Sequence, residues 1–248
     1  MNRLSALVIT RDEEEMLPDC LASLSFADEI VVVDSGSTDR TVELAEAAGA
    51  RVLTHEFQGH AAQKNWGLRQ LAHDWAILLD ADERVPAELA AEIQARVANP
   101  DRAGYWIHRR NTFLGREITG CGWQRDKVLR LFDRRAGEYE EKLVHEEVRL
   151  TSEAGRLEHS LLHHSCRDLA SWLQKTERYA ALGAREARRK GRRPKLGDLF
   201  VRPGVRFLKQ WLFQGGYRDG IEGLILCMTS AYSVFLKYAY LRRGEEPK

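Results

Sequence analysis

Residues 77–85 read ILLDADERV: an apolar run passes directly into Asp80, Asp82 and Glu83, with only Ala81 between the two aspartates. The run has the character of a buried strand, so the carboxylates fall where that strand ends. Like charges crowded at the edge of a core repel one another and lose hydration. A chemistry that repays this cost is a divalent cation shared with a polyphosphate. Mg²⁺ or Mn²⁺ takes oxygen ligands, commonly one or two carboxylates plus substrate phosphates. Such a cation neutralises charge developing on a departing diphosphate. In this arrangement Asp82 is the direct ligand, and Asp80, one pleat back, holds ribose hydroxyls or a metal-bound water. D-x-D is common by chance and gains specificity only from its place after an apolar strand.

A second chemical stretch is VVVDSGSTDRT, residues 31–41. Ser37 is expected to cap the following helix, with Asp39 supporting its first-turn amides. These roles leave Asp34 unexplained. A carboxylate at a strand end, beside a helix N-terminus, could accept a hydrogen bond from the N–H of a nucleotide base. A third stretch, EHSLLHHSC, places His159 and His163 on one face of a strand and His164 on the other. Without a second ligand cluster it is not read as a zinc site. A histidine near the diphosphate is the better expectation, with His164 as the position to watch.

Four strand candidates present these residues: 4–10, 29–35, 50–56 and 74–82, with helical spacing of Leu and Ala between them. Strands alternating with helices imply βαβ units and a mostly parallel sheet covered on both faces. Ligands then gather beyond the carboxyl ends of the strands, where Thr10, Asp34 and Asp80 to Asp82 fall. After a helix near 86–98 the pattern changes to strand-like segments at 104–115, 127–135 and 156–164. From about 167 the chain reads as helical.

The formal net charge of +1 hides an asymmetry: residues 1–165 carry 20 basic and 29 acidic side chains, residues 166–248 carry 18 and 8. The expected division is a first domain over 1–165 and a basic helical region over 166–248 that faces something anionic. Four scattered cysteines with no CxxC pair fit a reducing, cytoplasmic setting. The apolar stretch 223–236 has only 14 residues between Glu222 and Lys237, short of the roughly 20 needed for a membrane span. It is expected to be either a core helix or an interfacial one. The basic stretch RRKGRRPK and the mixed RPGVRFLKQWLF (202–213) suit an anionic bilayer surface.

In order and spacing, ALVITRDEEEMLPDCLASL, EIVVVDSGSTDRTVELAEAAGARV, GHAAQKNWGL and DWAILLDADERV resemble family 2 glycosyltransferases. The resemblance implies a GT-A fold (Rossmann-like, mostly parallel, with helices on both faces) plus here a C-terminal helical extension. It also implies a nucleotide-diphosphate sugar donor, a divalent metal at the D-x-D and inversion at the anomeric carbon. More narrowly, GWQRDKVLRLFDRR, VHEEV and LLHHSCRDLASWLQKTERYAALGAREA are similar to lipopolysaccharide-core β-glucosyltransferases. Carried over by position, Thr10 and Asp34 surround the nucleobase with Glu13 nearby, and Lys64 reaches the nucleotide or its phosphates. Many members read D-D-G-S where this chain has Asp34-Ser35-Gly36-Ser37, so the base contact rests on Asp34. Inversion requires a general base; Glu146 in KLVHEEV is the candidate, with His145 orienting it or touching phosphate and Glu147 the confounder. Trp123 either stacks on a sugar face or packs, and Arg130 either pairs with diphosphate oxygens or packs. The implied partners are a UDP-sugar, a lipid-linked core saccharide and an anionic membrane surface met from the cytoplasmic side, with no nucleic acid.

Two rivals begin from the same residues. A haloacid-dehalogenase-type phosphatase also runs a strand into D-x-D, but on its first strand and with Thr or Val where Arg84 stands. A non-enzymatic, membrane-docked module would hold a cation at the rim and turn nothing over.

Overall fold

The computed structural model describes residues 2–140, 147–166 and 168–244. It divides into two compact units: residues 1–109 with 127–163, and residues 110–126 with 164–248. Residues 110–126, assigned by sequence to the first domain, therefore group with the C-terminal helices.

The first unit begins with alternating elements: β1 (Leu4–Thr10), α1 (Leu17–Ser23), β2 (Glu29–Asp34), α2 (Thr41–Ala47), β3 (Arg51–Thr54), α3 (His60–Gln70) and β4 (Trp75–Asp80). The β-branched and leucine-rich β1, β2 and β4 are largely buried on both faces, as the interior of a covered parallel sheet requires, while β3 lies at the edge. Alternation sorts their side chains: Ala6, Val8, Val32, Ile77 and Leu79 face Leu17, Leu21, Leu89 and Ile93. Leu7, Val31, Val33 and Leu78 face Ala61 and Leu68 on the other side. Each Val, Leu and Ile among them contributes about 1.5–3 kcal/mol on burial.

The chain continues through β5 (Glu83–Arg84), α4 (Ala87–Ala98), β6 (Gly104–Phe113), β7 (Arg116–Glu117), β8 (Lys127–Asp133), β9 (Gly137–Tyr139), β10 (Val148–Leu150) and β11 (Gly155–Cys166). The main sheet runs β3-β2-β1-β4-β8-β6-β11-β5, with β7 on β6. It is parallel from β3 to β4, as the sequence predicts. Beyond β4 it turns antiparallel: β8 pairs with β4, β6 with β8, and β5 with β11. The sheet is therefore mixed. Register sets the rim, with Thr10 opposite Asp34 and Ile9 opposite Asp80.

The second unit holds α5 (Leu169–Arg189), α6 (Leu196–Leu208) and α7 (Gly220–Arg243). Phe113, Ile118 and Cys121 bury against Leu226 and Cys227, which is why 110–126 belongs here. The 14-residue apolar stretch is the interior of the 24-residue α7, and Glu222 and Lys237 lie within the helix instead of ending it. The helix is therefore longer than the 14 apolar residues marked in the sequence. Gly216–Arg243 is long and apolar enough to cross a membrane by length and composition, with a third of its apolar window buried within the protein.

Candidate active site

The strand-end loops of β1 and β2 lace into each other. Asp12, in the left-handed region at φ +53°, accepts from the Thr38 N–H at 2.7 Å, and its own N–H reaches Ser37 Oγ at 2.8 Å. Thr41 Oγ1 accepts from the Glu13 N–H, and Asp39 from the Glu14 N–H. Glu13 is half-buried and its carbonyl opens α1. Ser37 does not cap α2, contrary to expectation. Its hydroxyl donates to Asp34, while Asp39 receives the Thr41 N–H. Asp34 is buried and accepts the N–H groups of Gly36 and Ser37, both at 2.9 Å, which makes it the pivot of an Asx-type turn. Gly36, at φ +86°, supplies the left-handed backbone this turn needs. Beside Asp34, Thr10 is buried and its Oγ1 has no hydrogen-bond partner.

The D-x-D region is a separate arrangement in the same rim. Glu83 is fully buried and accepts the Asp80 N–H at 3.0 Å. Its carboxylate also meets Arg109 at 3.2 Å and Arg130 at 3.1 Å. Arg130 donates as well to Asp80, whose other oxygen faces Lys64 at 3.5 Å. Lys64 is itself buried, with its ammonium 5.2 Å from the centre of the Tyr139 ring. Burial works against the Asp80 carboxylate, but Arg130 and then Lys64 outweigh it and hold the group far below the usual carboxylate range. Two carboxylates thus face three cations. The repulsion raised by the sequence is offset within the protein.

Asp82 points elsewhere: one of its carboxylate oxygens lies 3.3 Å from His163 Nε2. The pairing of His163 with Glu83 between β11 and β5 brings them together. His164, the position expected from sequence, faces Thr112 at 3.2 Å in the second unit. The alternation of the strand was legible, but which face met the D-x-D was decided by a register no local spacing encodes. His159 pairs with Glu92 at 2.9 Å, and among the described residues no group of three or more His, Cys, Asp or Glu side chains could hold a metal alone. A divalent ion that takes part of its shell from phosphate needs fewer protein ligands. Two ligands side by side on such an ion are about 3 Å apart, so Asp82 and His163 fit one.

Of the remaining sequence candidates, Trp123 belongs to the second unit and packs edge-on against Phe113 and Trp172. Glu146 and His145 lie outside the described residues. Arg109 was missed, and Glu83, named with the crowded carboxylates, was given no role of its own. The signal for Glu83 was its place three residues after Asp80; Arg109 sits mid-strand with no local mark.

Residues 5–146 match the family described as Glycosyl transferase family 2. The chain is 33% identical over 244 residues to LpsC, a lipopolysaccharide core biosynthesis glycosyltransferase of Rhizobium meliloti (strain 1021), covering 95% of this chain and 90% of that one. It is 26% identical over 261 residues to an uncharacterized glycosyltransferase of Rickettsia felis, covering 98% and 91%. Among solved structures, glucosyl-3-phosphoglycerate synthase from Mycobacterium tuberculosis, in complex with Mn²⁺, UDP and glucosyl-3-phosphoglycerate, aligns at TM-score 0.42 and 20% identity over 54% of this chain and 58% of that one. The chain belongs to glycosyl transferase family 2. The fold, a mixed sheet with a parallel half and helices on both faces, is of GT-A type, and the protein is a glycosyltransferase.

Proposed function

We propose that this chain is an inverting, metal-dependent transferase of lipopolysaccharide core assembly. It moves a sugar, glucose from UDP-glucose in the first instance, onto a hydroxyl of a lipid-linked inner-core saccharide, a heptose by resemblance. It works on the cytoplasmic side, peripheral to the inner membrane. The observation that carries the donor half of this reading is Asp82 facing His163, next to an Asp80 clasped by Lys64 and Arg130. The similarity to LpsC supports the core-saccharide acceptor.

In this reading Asp82 and His163 hold the divalent cation, Mg²⁺ or Mn²⁺. The cation, when bound, supplies positive charge against the departing diphosphate. Lys64 and Arg130, already desolvated and oriented by Asp80 and Glu83, pair with phosphate oxygens as fixed cations. Asp80 then turns from neutralising them to holding ribose hydroxyls. Thr10 offers its unpartnered hydroxyl to the nucleoside beside Asp34. Glu146, with His145 beside it in sequence, takes the proton from the acceptor hydroxyl as its oxygen attacks the anomeric carbon. The bond from that carbon to the diphosphate oxygen breaks on the opposite face.

The test is a donor screen. Purified protein with Mn²⁺ or Mg²⁺ is given each nucleotide sugar and core lipopolysaccharide from a strain lacking this protein. Incorporation from UDP-glucose, lost by about 100-fold in Asp82→Asn, is expected. No incorporation from any donor overturns the reading.

A further inference from the structure

The second unit carries a helix, the thirteen-residue α6, that packs on α7 while none of its own residues is buried. Phe200, Val201, Val205 and Leu208 are 73, 63, 57 and 50% exposed, and Leu212 and Phe213, in the turn that follows, are 53 and 84% exposed. Val201, Val205 and Leu208 stand at i, i+4 and i+7 and so share one face. Leu199 and Phe207 pack on the other side against neighbouring cores. The helix is therefore held by one face and presents a second apolar face outward. An apolar surface of this kind marks an interaction site.

The charge around that face identifies the occupant. Residues 188–209 contain nine Lys and Arg side chains and one acid, Asp198. Asp198 is paired with Arg202 and closes the start of the helix through the Lys195 N–H. Arg188, Arg189, Lys190, Arg193, Arg206 and Lys209 are all exposed. A nucleic acid would use the cations and leave the leucines and phenylalanines wet. A second copy of this chain would bring nine like charges against nine. An anionic bilayer takes both: the apolar face enters the headgroup boundary while Lys and Arg snorkel to phosphate. At about 1.5 Å per residue α6 is about 20 Å long, short of the roughly 30 Å hydrocarbon core. It lies in the surface and does not cross it.

We infer that α6 with its following turn, residues 196–213, is the element that docks this protein on anionic phospholipid. The inference deepens the membrane-peripheral part of the proposed function and narrows that role from the stretches 188–195, 202–213 and 223–236 to α6 and its following turn. It depends on neither donor nor acceptor.

The experiment is co-sedimentation of the full chain with vesicles of 3:1 phosphatidylcholine to phosphatidylglycerol, and with phosphatidylcholine alone. Wild type should bind the anionic vesicles at least tenfold more tightly and be released by 0.5 M NaCl. Val205→Glu with Leu208→Glu should lose that binding tenfold or more. Asp82→Asn should bind like wild type while failing in the donor screen, which separates docking from catalysis. Should the double variant not fold, Phe213→Trp replaces it, and quenching by brominated lipid beyond that of wild type, which has six tryptophans of its own, supports the inference. Equal binding to both vesicle types, an unaffected double variant, no quenching beyond that of wild type, or wild type that only detergent extracts would each overturn it. So would loss of a dimer in place of vesicle binding.

Discussion

Glu83 shows how a rim that looks electrostatically unfavourable is held together residue by residue. Its carboxylate accepts from the Asp80 backbone and from two arginines with no exposure to solvent. Glu83→Gln keeps the shape and the backbone contact but leaves Arg109 and Arg130 short of a buried charge. Breaking such a pair costs about 3–5 kcal/mol, to be seen as a lower urea midpoint at unchanged slope. Asp80 gives a pH signature. Its folded carboxyl sits far below the usual range, held there against burial by Arg130 and Lys64. A depressed group contributes fully above its unfolded value, about 3.9, and loses that contribution as pH falls toward the folded value. Wild type should therefore lose stability between about pH 5 and pH 3 more steeply than Asp80→Asn, measured as urea midpoints across that window. Equal slopes would mean that the clasp contributes nothing. The types of these residues were legible in the sequence; their partners were not. Lys64, Arg109, Arg130 and His163 reach the rim from α3, β6, β8 and β11, and only strand order and register bring them there.

At the scale of elements, the half of the sheet that reads easily is the half whose order follows the chain. Strands β1 to β4 are continuous apolar runs bounded by helical spacing, and their parallel pairing follows from the βαβ rule. Strands β6, β8 and β11 mix Arg, His and Asn with apolar residues, so their existence is visible and their antiparallel order is not. The acids of TRDEEE and DSGSTDR carry no mark of one another in the sequence, although they serve each other across two loops. Segment 110–126 escaped for a similar reason, since both its apolar partners and its main polar anchor lie about 100 residues further along the chain. The buried Asp219 accepts from the Thr119 N–H and Oγ1 at 2.9 Å and from the Gly120 N–H at 2.8 Å. Asp219→Ala would leave two backbone donors unmatched, at about 1–3 kcal/mol each. Scanning calorimetry should show a transition lowered by several degrees. Asp219→Asn, which keeps an acceptor, should recover part of the loss.

Under the proposed function, charge at the scale of the molecule decides how a nucleotide-sugar donor is admitted. Residues 1–165 are net acidic, and a nucleotide sugar arrives with a diphosphate of the same sign. Within the site Lys64, Arg109 and Arg130 face Asp80 and Glu83, and Asp82, set against His163, brings the formal charge of the six acidic and basic groups to zero. The fixed charges alone therefore offer a dianion little net attraction. A divalent cation between Asp82 and His163 changes that balance by two charges at once. Nucleotide and metal should accordingly stabilise the protein only together. At a concentration of UDP about 100 times its dissociation constant, binding adds about 2.7 kcal/mol. For a chain of this size that corresponds to about 5–10 °C in Tm. The measurement is a thermal scan with UDP, with Mn²⁺ and with both. A joint shift far above the sum of the separate ones is expected for wild type and should disappear in Asp82→Asn and shrink in His163→Gln. A full shift with UDP alone would instead assign the diphosphate to Lys64 and Arg130 without a metal, and Asp82 would lose its role.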